Sequence, residues 1–599
     1  MLKRVPFRSG INKTDTEYSQ EGTWIDGDHV RFKNGRAEKI GGFTTISSTT
    51  LDGTPRGMFS WRSNASIKFL AIHTNLRHYV WTGGAAYNIT PIRSSGTLGA
   101  NPFATTNESA AVTVTHTSHG LIANDFVTFA NGDTVGSLDL DTTFQVTSVT
   151  NANTYVITAS SAATSTVAAG GGSSVTFSYE ATTGRADGVA GLGWSTGTWN
   201  TSTWSTARNA TGLLLRTVSS AQFGEDLLFN PRSQGLYKWP LDVTARAEQI
   251  YQNANSEVIA PSEIGFMFVD PNRHVFLLGT NMNAAGTTGD FNPMRVMFSD
   301  QEDAETYITT ATNLAGDVIL SEGNRLIAGT STRLLNLIFT DSALYTARNI
   351  GDIDFVYDFQ LAGTSCGLIG PNGFAVVDSR CYWMSNNRQF YVYNGGEPQV
   401  LPCTVQDHIF DNMTTAQMEK VYSFANSAFS EIWWLYPHDS DECDRYVIYN
   451  YLENTWSIGT FDRTCGNDRG VFDTPQMINS SGIVFSHENG VDSDGAAFES
   501  SITSGPMDID DGDRVMELRR IVPDLVLGDG ASVNFTVKHK RYPNASETTE
   551  TARQVTANTS KLDYRVQARQ MSLQISTDGV GDDWRLGDLR MDVTAGGFR

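Results

Sequence analysis

From Met58 onward one unit returns along this chain: a short apolar strand, a turn, then an aromatic-rich strand. Residues 68–72 are followed by 78–81, 225–229 by 235–239, 275–278 by 295–298, and 325–328 by 343–345. Residues 381–384 with 389–393, and 431–435 with 445–449, continue the series. The aromatic strands centre near residues 237, 297, 345, 392 and 448, at intervals of roughly 60, 48, 47 and 56, close to the roughly 40–50 residues of a four-stranded propeller blade. Each blade buries its faces only against its neighbours, so the period is kept while the residues drift. The pattern predicts an all-β fold, a β-propeller of about six to seven blades. A β-sandwich with evenly spaced hairpins is the alternative.

Composition agrees with strands and tight turns: 55 Gly, 11% aromatic and only 18% charged residues in 599. Four regions are expected. Residues 1–100 form an N-terminal segment with the first propeller strands, 101–183 an inserted small β-sandwich or barrel, 184–500 the propeller, and 501–599 a C-terminal β-sandwich. The insertion shows itself because no Lys or Arg occurs between Arg93 and Arg185, while strand alternation persists at Val112, Val114, Phe144 and Val146. Asn101-Pro102 and the glycines 170–172 are read as its linkers. Trp194, Trp199 and Trp204 follow at five-residue spacing, which fits neither helix nor strand and suggests an ordered loop or a carbohydrate platform. The best helical candidate is a short connector over residues 416–424.

The formal charge of −22 is uneven, since residues 1–100 carry 13 Lys or Arg against 7 Asp or Glu. A chain this acidic is a poor general DNA binder. Five cysteines without a C-x-x-C pair read as reduced thiols made in a cytoplasm. No apolar run is long enough to span a bilayer and residues 1–10 lack a secretory core, so membrane insertion by the chain itself is not expected.

Motifs for chemistry are sparse. Gly363-Thr364-Ser365-Cys366-Gly367 matches a nucleophile elbow, but another strand follows where the helix should be. His116 and His119 would point to opposite faces of a strand. The acidic turns at residues 492–495 and 508–513 resemble calcium loops without keeping their spacing. Neither cofactor nor metal is called for, and no catalytic residue is assigned.

The stretch Cys366-Gly367-Leu368-Ile369-Gly370-Pro371-Asn372-Gly373, with Tyr382-Trp383-Met384, Phe390-Tyr391-Val392-Tyr393 and the segment 401–410, resembles the packaged-DNA stabilisation and tail-hub (nozzle) proteins of short-tailed bacteriophages. Residues 24–35, 38–42, 298–303 and 584–590 share that look. The resemblance implies a structural, non-enzymatic virion protein: a homo-oligomeric ring, usually of six copies, beneath the portal and a tail adaptor protein, near tail fibre or needle proteins. Genomic DNA would pass through without specific binding. A wall that repels DNA needs acidic side chains on the lumen itself, because screening acts within about 8 Å. Asp439, Asp441, Glu442 and Asp444, in one strand-connecting loop, are the candidates. Lys33, Arg36 and Lys39 are expected to form a basic patch against an acidic neighbour. Two other classes compete: a propeller glycan-degrading enzyme whose carboxylates come from different blades, and a monomeric host-binding adhesin using the tryptophan loop.

Overall fold

Short apolar strands joined by tight turns fold locally, and the computed structural model shows them doing so over residues 2–47, 49–188, 214–253, 255–352, 355–510 and 512–597. Trp194, Trp199 and Trp204 lie outside the described residues. The fold is all-β and of the propeller class, with seven four-stranded antiparallel sheets in blade order, a small β insertion and a terminal β-sandwich. The chain divides into two compact units, one of 51–321 with 352–356 and the other of 1–50, 322–351 and 357–599.

The 51–321 unit holds three blades. The first is Pro55–Arg62, Lys68–Thr74, His78–Thr82 and Ala85–Asn88. The second is Val218–Phe223, Asp226–Pro231, Leu236–Trp239 and Glu248–Ile250. The third is Ile264–Val269, Val275–Met282, Thr288–Phe298 and Gly316–Ile319. Trp61, Phe69, Phe229 and Trp239 join the first two blades in one core, so the aromatic strands fill the space between neighbouring blades.

The insertion sits in this unit as eight strands around Val112, Val114, Val146, Tyr155 and Ile157, all shielded from solvent. It begins at Ile92, not at Asn101: the strand Ile92–Thr97 pairs with Thr176–Glu180. The expected linkers instead bind each other, since the Asn101 amide donates to the Gly172 carbonyl at 2.7 Å and the Gly172 N–H donates to Asn101 Oδ1 at 3.1 Å. Breaker residues mark turns, and here the turns lie inside the domain.

The other unit holds the remaining four blades. Strands Leu326–Ser331, Asn336–Thr340, Ala343–Asn349 and Tyr357–Thr364 make the fourth. The fifth is Phe374–Val377, Arg380–Met384, Phe390–Tyr393 and Gln399–Leu401. The sixth is Tyr422–Asn426, Glu431–Tyr436, Arg445–Asn450 and Thr455–Thr460. Residues 422–424 of the expected helix therefore belong to a strand, preceded by a 3-10 turn over Thr415–Lys420; pairing Phe424 with Trp433 outweighs local helical preference.

Cys465–Asn467, Gln476–Ile478 and Val484–His487 lack a fourth strand of their own, and Phe43–Ser47 supplies it from the other end of the sequence. Three more N-terminal strands join C-terminal ones: Leu2–Val5 pairs with Leu589–Ala595, Trp24–Asp28 with Ser500–Ser504, and Arg36–Lys39 with Trp584–Leu586. These pairings build the terminal sandwich, whose core includes Ile502, Phe535, Leu573, Ile575 and Trp584. Close backbone approach fixes Gly42: a Cβ there would lie 2.4 Å from the backbone N and O of Asp492.

Candidate functional site

A cluster of buried charge lies where Val30–Lys33 meets the sixth and seventh blades. Arg31, 2% exposed, brings Nε within 2.9 Å of Glu431 Oε1 and Nη1 within 2.9 Å of Glu488 Oε2, and its Nη2 also donates to Glu488 Oε1. Asn426 Nδ2 donates to both carboxylates, at 3.3 and 3.2 Å, and Trp433 Nε1 donates to Glu431 at 3.0 Å. The guanidinium carbon stands 3.6 Å from the centre of the Phe429 ring. Burial pushes the Glu431 carboxyl up to about 7 against the pull of Arg31, with Glu488 adding like-charge repulsion. Burial opposes the charge on Arg31, yet the two carboxylates hold its pKa above the ordinary value.

Two carboxylates with one displaced upward have the inventory of a hydrolytic acid pair. The geometry gives them another task. Both are held by one guanidinium, and Glu431 is 1% exposed, so the cluster ties the N-terminal strand to two blades. The sequence carries one trace of it: Glu431 opens the otherwise apolar strand Glu-Ile-Trp-Trp-Leu-Tyr, and a charge at the head of a buried run requires a partner. Nothing local identified Arg31 and Glu488 as that partner.

The residues singled out from sequence fall as follows. Asp439 and Asp441 are exposed in the turn between Glu431–Tyr436 and Arg445–Asn450. Glu442 faces inward to the buried ammonium of Lys420 at 2.9 Å, and the Asp441 carbonyl accepts from the same group. Asp444 accepts the His438 N–H at 2.9 Å. The four acids thus share a loop but not a surface.

The basic patch requires correction. Lys39 is 5% exposed and donates to the Asp582 carbonyl at 2.6 Å; burial holds its ammonium below the ordinary value, against Asp582, Asp583 and Asp492. Arg36 is paired with Asp588 at 2.5 Å, leaving Lys33 exposed near the Phe429 ring. Alternation along Arg36–Lys39 turns Lys39 inward while Arg36 pairs sideways.

Ser365 sits in a turn with φ of 57° and no helix follows. His116 Nδ1 lies 2.6 Å from the Tyr179 hydroxyl, and His119 Nε2 lies 2.9 Å from the Asn151 carbonyl, so both rings have partners within the insertion. In the first acidic turn Asp494 accepts the backbone and hydroxyl of Thr45, holding the donated strand of the seventh blade. Among the described residues no group of three or more His, Cys, Asp or Glu is placed to hold a metal. All five cysteines are free thiols, and burial raises Cys366 to about 11 and Cys403 to about 12.

No protein-family model matches the chain, and no curated protein matches it. Among solved structures, the computationally designed Ika8 protein is 10% identical, with 74% of this chain and 100% of that one covered and a TM-score of 0.33. BamB from Moraxella catarrhalis is 13% identical over 45% of this chain and 81% of its own, with a TM-score of 0.25. The endosialidase of phage phi92 is 11% identical over 100% of this chain and 70% of its own, with a TM-score of 0.16. Likeness of this degree bears on neither the fold nor the activity of the present chain.

Proposed function

We propose that this protein is a structural tail component of a short-tailed phage: a hub or nozzle subunit, six to a ring, that forms the exit conduit beneath the portal and adaptor and helps retain packaged DNA. The observation that carries this reading is how the chain ends are held. Four N-terminal strands are hydrogen-bonded to strands more than four hundred residues later, and the Arg31 cluster secures the same junction. Freeing the N-terminal segment requires breaking four antiparallel pairings, one after another, which suits a part that withstands pressure. The buried acids point the same way: Glu431 and Glu488 serve Arg31, while Glu180 serves Arg77 at 2.7 Å and Arg246 at 3.3 Å.

On this reading Asp439 and Asp441 are the acids free to line a DNA-repelling wall, and the fibre or needle proteins and the adaptor bind exposed edges of the ring. Electron microscopy of virions carrying a tagged copy tests it. A ring below the portal is expected, and virions lacking the protein should lose DNA. Exclusion of the tagged chain from virions, or release of reducing sugar from polysaccharide by the purified protein, would overturn the proposal in favour of the glycan-degrading reading.

A further inference from the structure

Outside the Arg31 cluster, the terminal sandwich contains a polar cavity of about 340 Å³ between one face of its six-stranded sheet and the segment that includes Asn12, Lys13 and Gln20. Gln570, Ser572 and Gln574 alternate along the strand Gln570–Thr577, so their side chains share a face at about 6.8 Å spacing. All three line the cavity. Thr503, opposite Gln574 on the neighbouring strand, extends the row.

All three lysines here are already matched, while the Asp15 carboxylate stands exposed at the rim. Lys13 pairs with Asp26 at 2.9 Å, Lys540 with Glu17 at 2.9 Å, and Lys538 approaches Glu547 at 3.8 Å. A strongly charged ligand would have to break these pairs. An apolar one would find only Ile25 and Pro506 among the lining side chains. What is left open is neutral hydrogen-bonding capacity. Gln570 is 3% exposed and its Nε2 has no acceptor, an arrangement that costs stability unless something answers it.

We propose that this cavity binds a neutral saccharide of about one or two pyranose rings. Sugar hydroxyls donate and accept from the same atom, which matches a wall of amides and hydroxyls. Gln574 would offer both a donor and an acceptor, Ser572 and Thr503 extend the row, and the Gln570 amide, whose Nε2 is closed off from solvent, would bring its N–H₂ to a ring hydroxyl by turning about its last torsion. The proposal stands on the cavity alone and does not rest on the virion reading.

The test is saturation-transfer NMR on the full-length protein, with maltotriose and chitotriose as neutral probes and trigalacturonate and a polar tetrapeptide as competitors. Transfer to at least one neutral trisaccharide is expected at millimolar concentration. Gln570→Leu and Gln574→Leu should each weaken it about tenfold, as loss of a hydrogen bond within a polar site does, with the unfolding temperature kept. Should Gln570→Leu misfold, Gln574→Leu decides. Absence of transfer from both neutral probes, transfer indifferent to both variants, or tighter binding of trigalacturonate or the peptide would each overturn the assignment.

Discussion

Replacing Arg31 with methionine keeps an unbranched apolar stem but ends before the guanidinium, removing the one cation that the buried Glu431 and the part-buried Glu488 share. Breaking a buried ion pair from one side costs about 3–5 kcal/mol, because the remaining charge stays desolvated and unanswered. The cost should depend on pH in a definite direction. Glu431 is lifted from its ordinary 4.5 to about 7 in the folded protein, and each pH unit is worth about 1.4 kcal/mol, so its ionisation alone opposes folding by about 3 kcal/mol above neutrality. A folded-state carboxyl pKa raised above the unfolded value means that the folded chain binds more protons between the two. Its contribution is therefore full below about 4.5 and is lost as the pH rises through about 7. Arg31→Met should cost most at pH 8, where both carboxylates must be charged, and less at pH 5, where a proton relieves them. Hydrogen exchange in Tyr422–Asn426 and Glu431–Tyr436 reads this locally, without requiring the whole chain to unfold in one step. Exchange about a hundredfold faster or more is expected at pH 8, with a smaller factor at pH 5 after correction for intrinsic rate. A change of less than about tenfold at pH 8, or an equal change at both pH values, refutes the account of the cluster.

Glu431→Gln removes the titration itself, so the stability of these strands should become flatter between pH 5 and pH 8, measured by the same exchange. Gly42→Ala places a methyl against the Asp492 backbone, and because backbone cannot step aside the variant should lose about 1–3 kcal/mol and expose Phe43–Ser47 to limited proteolysis. Asp125→Ala leaves the N–H groups of Ile122 and Thr183 and the Thr183 hydroxyl without their acceptor. A loss of about 1–3 kcal/mol, seen by thermal unfolding and confined to the insertion in hydrogen exchange, is the expected result. The raised thiols of the buried Cys366 and the half-buried Cys403 should be alkylated slowly at pH 8 in the folded protein, Cys366 the slower of the two, and react at once in denaturant.

The blade pattern was readable because period-two alternation and aromatic strands are local: Tyr382-Trp383-Met384 and Phe390-Tyr391-Val392-Tyr393 declare a hairpin whatever surrounds them, and they form one. The same alternation revealed the core of the insertion at Val112, Val114, Phe144 and Val146. Sequence could not say that Phe43–Ser47 completes the last blade, since a strand edge records no address for a partner 440 residues away. Nor could it separate Lys33 from Lys39. Both are lysines in a basic stretch, and the Asp582 carbonyl with the carboxylates of Asp582, Asp583 and Asp492, all distant in sequence, makes a buried ammonium tolerable at the second. The Arg31 cluster and the Gln570 cavity belong to the same class of fact. Strand periodicity is written in adjacent residues and so was fixed along the chain, whereas charge pairing and cavities arise from side chains that meet only after distant strands have taken their places, and those the tertiary structure alone decided.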